Sequence, residues 1–169
     1  MITLCLVLGS WGAIAQHDHA DHATKKNDKQ VDQIMAMFKD DKLAVAYEHY
    51  AQLKDALVAS KVDEAKKGAT ELQKALKDVS GSTAANKAAS EIAASADLKV
   101  QRLAFSTLSN EMATLVKGGK LSMGMLYLDY CPMANGNTGA YWLSNAKEIK
   151  NPYFGDMMLK CGSVKETLQ

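Results

Sequence analysis

Leu98-Lys99-Val100-Gln101-Arg102-Leu103-Ala104-Phe105-Ser106-Thr107-Leu108-Ser109-Asn110-Glu111-Met112-Ala113-Thr114-Leu115 is the stretch that decides the fold class. Leu98, Phe105 and Met112 recur seven residues apart, and Leu108 and Leu115 repeat that interval beside them. Such spacing places apolar side chains along one seam of a long helix, as in a helical bundle. The pattern extends back to Ala84 and forward to Lys117, where Gly118-Gly119 ends it. One helix is therefore expected over residues 84–117.

Upstream, the same logic gives two more helices. Leu43, Tyr47, Tyr50, Leu53 and Leu57 recur at intervals of three and four within a helical stretch from Lys29 to Ala59. Val62, Ala65, Ala69, Leu72, Leu76 and Val79 form a second stripe, with Ser60 as the expected N-cap and Glu64 as a capping acid. Ser80-Gly81-Ser82-Thr83 stops one helix and starts the next. Short connections make neighbouring helices antiparallel. The expected fold is all-α, an antiparallel three- to four-helix bundle with an irregular C-terminal segment over residues 121–162.

Composition agrees. The chain has 169 residues with 47% hydrophobic content, only two prolines and a formal net charge of +1. Acidic and basic residues are interspersed, so no basic stripe points to nucleic acid.

Residues 1–15 differ from the rest. A short apolar run with Leu4, Leu6, Val7, Leu8, Trp11 and Ile14 closes on Ala13-Ile14-Ala15. That reads as the h-region and cleavage site of a secretory signal peptide, too short to span a membrane comfortably, with a structural N-terminal helix as the alternative. Cys5 has no lipobox around it. Residues 16–29 read as a flexible polar tail holding His17, His19 and His22, whose imidazoles can take Cu(II), Ni(II) or Zn(II) loosely. The domain proper spans residues 30–169, in a periplasmic or extracellular compartment where disulfides persist.

Aromatics, glycines, methionines and both prolines gather in residues 121–162. Cys131-Pro132-Met133 gives Cys-x-Met, and Met158-Leu159-Lys160-Cys161 gives Met-x-x-Cys. Thiolates and thioethers are soft donors that select Cu(I) over Zn(II) or Mg(II). If the two segments face each other, Cys131, Met133, Met158 and Cys161 form a Cu(I) site. The competing reading is a Cys131–Cys161 disulfide, worth roughly 3 kcal/mol by chain entropy, bracing a helical interaction module that carries no metal of its own. His49 sits alone in the first helix and reaches the sulfurs only by tertiary folding. Tyr141-Trp142 and Tyr153-Phe154 are expected to cover the site, and Gly136, Gly139 and Gly155 to permit tight turns around it. No catalytic constellation is visible, because neither cysteine has a basic partner in sequence, so the chain does not read as an enzyme.

The run Tyr130-Cys131-Pro132-Met133, then Gly139-Ala140-Tyr141-Trp142-Leu143-Ser144, Ile149-Lys150-Asn151-Pro152-Tyr153-Phe154-Gly155 and Met158-Leu159-Lys160-Cys161-Gly162 resembles the domain-of-unknown-function 3347 family of bacterial envelope proteins. Tyr50 to Val58 and Arg102 to Ser109 resemble its helical half, so the resemblance spans roughly residues 40–167. Members are small exported proteins or are fused to periplasmic adaptor subunits of copper/silver efflux pumps. The resemblance thus implies metal handling, with efflux components as partners. The family's Cys-Pro-Met falls on Cys131 and Met133, and its Met-Leu-x-Cys-Gly on Met158, Cys161 and Gly162.

Overall fold

A computed structural model describes residues 36–169. The expected signal peptide and the tail with His17, His19 and His22 lie outside the described residues.

Four helices come first. Asp40 caps α1 (Asp41–Val58) by accepting from the Lys42 amide at 2.9 Å. α2 spans Val62–Leu76, α3 Thr83–Ala94 and α4 Leu98–Gly119. Each packs chiefly on its neighbour in the chain. Their apolar faces are the predicted stripes: Leu43, Tyr47, Tyr50, Leu53 and Leu57 on α1, and Leu72 and Leu76 on α2, are all buried.

Three local expectations need correction. The single helix over 84–117 is two. Residues 95–97 break it, because the Asp97 carboxylate accepts from the Lys99 amide at 2.7 Å and restarts the helix. Ser95 Oγ also accepts from the Asp97 amide, which fixes the intervening turn. Ser60 does not cap α2. Its φ is +57°, Lys61 holds the capping position, and Ser60 Oγ accepts from Arg102 instead. A strand, β1 (Met37–Phe38), precedes α1 where helix was expected.

The all-α expectation itself is wrong; the fold is mixed α/β. β1 pairs antiparallel with β2 (Leu121–Met123), so Met37 faces Met123. β3 (Leu126–Cys131) is the centre of a three-stranded antiparallel sheet, with β4 (Ala140–Ser144) on one side and β5 (Ser163–Leu168) on the other. The segment read as irregular is therefore largely a sheet. Its central strand is covered on both faces, with Leu126, Tyr127, Leu128, Asp129 and Cys131 all buried. A strand covered on both sides shows no polar/apolar alternation to read.

α4 packs on β4 and joins the helices to the sheet. Tyr50 reinforces the joint: its hydroxyl contacts Ser109 Oγ on α4 at 2.8 Å and accepts from the Leu143 amide on β4 at 3.0 Å. An aromatic chain continues through the core, from Tyr50 stacked on Phe105 to Tyr153 and Trp142.

Candidate metal or redox centre

Cys131 is the last residue of β3, and Cys161 lies just before β5. Because β3 and β5 pair antiparallel with Tyr130 opposite Ser163, the end of one strand meets the approach to the other. The two Sγ atoms are 2.7 Å apart, and both cysteines are free thiols. Cys131 is fully buried, and Cys161 is half-buried. The juxtaposition expected from the sequence is thus present for the thiols.

The approach to Cys161 is held by a residue that spacing arguments overlooked. Asn151 is fully buried. Its Nδ2 donates to the Cys161 carbonyl at 2.7 Å, and its Oδ1 accepts from the Tyr153 amide at 2.8 Å. Its own amide donates to the Leu159 carbonyl, and its carbonyl accepts from Gly155. One side chain and its backbone therefore pin both ends of the 151–161 loop. The signal was a polar Asn before Pro152 inside an apolar segment, a turn-forming pair. Gly162 completes the arrangement with φ +141°, and a Cβ there would meet the Trp142 ring at 2.8 Å and the Tyr130 carbonyl at 3.0 Å.

The thioethers are placed differently. Met133 follows the end of β3, and Met158 ends a single 3₁₀ turn, Gly155–Met158. Both line a cleft of about 980 Å³ with Met157, Leu98, Leu103, Tyr153 and Phe154. Neither cysteine lines that cleft. The four sulfurs thus separate into a thiol pair and a thioether-lined cleft beside it. Met157, which the sequence motif passed over, is on the cleft wall and highly exposed.

The aromatics do not form a simple lid. Trp142 and Tyr153 are buried in the core, and the Tyr153 hydroxyl donates to the Tyr141 carbonyl at 2.6 Å. Arg102 spans the floor of the cleft. Its Nε donates to the Pro152 carbonyl at 2.8 Å, and its Nη2 donates to the Leu57 carbonyl and to Ser60 Oγ, each at 3.0 Å.

The chemistry of the pair follows from its surroundings. Contact with the Cys131 thiol, and then burial, pushes the Cys161 thiol above its ordinary value. That favours a protonated, weakly nucleophilic thiol. His49 does not join the sulfurs; its ring contacts Gln52 at 3.4 Å on α1. Among the described residues no three His, Cys, Asp or Glu side chains gather as a cation site. As a donor set the sulfurs fit a soft ion and no hard one. As a spacing, 2.7 Å is nearer to a sulfur–sulfur bond of about 2.05 Å than to two thiolates sharing one metal. Metal–sulfur bonds of about 2.3 Å hold such thiolates roughly 3.8 Å apart in a tetrahedral arrangement. A metal therefore requires the Cys161 loop to open by about 1 Å.

The fold and site define a helical stack on a small antiparallel sheet, with a thiol pair at the sheet's end. Residues 46–124 match the model of the family described as protein of unknown function (DUF3347). The match runs from within α1 to just past β2 and stops before the sheet that carries Cys131. No curated protein and no solved structure matches the chain.

Proposed function

We propose that this chain is an exported protein that handles a soft metal ion, Cu(I), with Cys131 and Cys161 as its thiolate anchors and Met133 and Met158 as neighbouring thioethers. The observation that carries this reading is the pair itself: two thiols from distant positions, in contact, with no carboxylate or imidazole gathered beside them among the described residues. Harder cations lack donors there; soft cations do not. Export rests on the apolar run and the Ala13-Ile14-Ala15 site, and a place among heavy-metal efflux components rests on the family resemblance. Among the described residues no helix is long and apolar enough to cross a membrane. Titrating the reduced protein with Cu(I) against a chromophoric chelator tests the reading. Tight binding by wild type and its loss in the C131S/C161S variant are expected; equal competition by the two proteins sinks it.

A second reading is favoured by one specific observation, the 2.7 Å separation. In it, Cys131 and Cys161 are bonded in the exported protein and brace an interaction module built around the apolar cleft. Intact mass with and without reductant, on protein taken from cells, separates the two. A quantitative disulfide that resists mild reductant supports the bracing role.

A further inference from the structure

Thioethers are concentrated in the cleft beside the thiol pair. Met133 is 48% exposed and Met157 77% exposed, and Met158 shares their wall. They arrive from two separate segments, the turn after β3 and the 3₁₀ turn Gly155–Met158. The remaining wall is mostly apolar, with Leu98, Leu103 and Phe154. The Arg102 guanidinium is occupied by the Leu57 and Pro152 carbonyls and Ser60 Oγ, and Asp97 and Lys99 also line the cleft.

We propose that this cleft is a second soft-metal site, distinct from the thiol pair, in which Met133, Met157 and Met158 take a monovalent soft cation, Cu(I) or Ag(I). The proposal rests on the soft-metal reading of the chain but not on the thiols. Thioether sulfur offers a polarisable lone pair and carries no proton to lose, so such a site discriminates against Zn(II) and Mg(II) and keeps its donors in acid. Thiolates and imidazoles must shed protons before they bind, so their affinity falls as pH falls. The two sites are tethered to one another: Met133 is two positions beyond Cys131, and the Met158 carbonyl accepts from the Cys161 amide at 3.0 Å. The three thioethers bring no charge of their own against the cation's, whereas thiolates do. The cleft is therefore the site of capture and the thiols the site of retention.

The test uses the full chain carrying C131S/C161S, titrated with Ag(I) at pH 5. The parent variant is expected to bind Ag(I). Adding M133L/M157L/M158L, which preserves side-chain volume, is expected to weaken binding by more than the roughly 10–100-fold loss that outer-shell changes cause at metal sites. Adding M37L/M123L, on the other exposed methionine pair, is expected to change nothing. Absence of Ag(I) binding at pH 5, or equal binding by the triple-leucine variant, overturns the proposal; so does a loss that follows Met37 and Met123.

A measurement on wild type avoids any folding defect of the serine variant. Ag(I) is expected to slow peroxide oxidation of Met133, Met157 and Met158 at pH 5 while leaving Met37 and Met123 unprotected, as read by peptide mass. Uniform protection, or none, overturns it. Failure of the thiol reading looks different: wild type and C131S/C161S then bind Cu(I) equally at neutral pH, while the acid-resistant Ag(I) site remains.

Discussion

Asp129 on β3 lies directly opposite Trp142 on β4, and neither the carboxylate oxygens nor the indole N–H has a hydrogen-bond partner among the described residues. Both side chains are fully buried. Burial pushes the Asp129 carboxyl up to about 7, against the opposing pull of the Lys54 charge on α1. Lys54 itself bonds Asp55 at 3.1 Å, so it is shared. Tyr47 and Tyr50 also face this region from α1, both with pKa values raised chiefly by burial and further by Asp129.

The pH dependence of stability follows from that carboxyl. The unfolded chain releases the Asp129 proton near an ordinary value of about 3.9, while the folded chain holds it to about 7. Between those values the folded state binds the extra proton, so stability falls as pH rises from about 4 to about 7 and then levels off. Asp129→Asn removes the charge and is expected to flatten this profile. At pH 8 the variant should be more stable than wild type by roughly 1–3 kcal/mol, the scale of an unpaired buried polar group. Urea unfolding at pH 5 and pH 8 checks this, and a wild-type slope that survives in the variant would assign the titration elsewhere.

The thiol pair should oxidise without rearrangement of the sheet. A mild oxidant is expected to remove two hydrogens and raise the free energy of unfolding by roughly 3 kcal/mol in chain-entropy terms, since the residues are 30 positions apart. Trp142 emission, which reports the buried ring beside Gly162, should stay nearly unchanged. A protein that resists oxidation while folded would show that the sulfurs are not adjacent.

Gly162→Ala should act on the pair at a distance of one residue. Its Cβ would press on Trp142 and the Tyr130 carbonyl at a φ of +141° that L-residues avoid. The chain must shift, and Cys161 shifts with it. We expect a loss of about 1–3 kcal/mol of stability and a slower Cys131–Cys161 oxidation. Unchanged oxidation kinetics would mean that Cys161 is positioned by Asn151 alone.

Tyr50→Phe removes one hydroxyl from the joint between helices and sheet. The Leu143 amide and Ser109 hydroxyl lose their shared partner deep in the core. A cost of about 1–3 kcal/mol is expected, measured by urea unfolding. A neutral substitution would imply that water replaces the phenol.

How much of this was readable beforehand depends on the element. The helical stripes on α1 and α2 were legible because one face of each is buried and the other is solvated. The α3–α4 break was not, since Ser95 and Asp97 act through local side-chain bonds that leave the heptad spacing of Leu98, Phe105 and Met112 intact. The sheet was missed for a related reason. Leu126 to Cys131 is covered on both faces and shows no alternation, yet its paired tyrosines and the Tyr141-Trp142 run carried a strand propensity that was read as site chemistry instead. The contact between Cys131 and Cys161 was anticipated from the motifs. The separation of the thioethers from it was not, because spacing along the chain does not say which wall of a cleft a methionine occupies.

The meeting of β3's end with β5's beginning has a mechanical consequence. A bond between those sulfurs would make residues 131–161 a ring hanging from the sheet. Tension applied through the two ends of the chain would then pass straight from Cys131 to Cys161. Roughly 100 Å of contour, at about 3.4 Å per residue, would be shielded from the load, including β4 and the methionine-bearing turn. Drawn out by force, the oxidised protein would be shorter than the reduced one by that length, and its cleft-forming segment would remain a closed loop after the rest had unravelled.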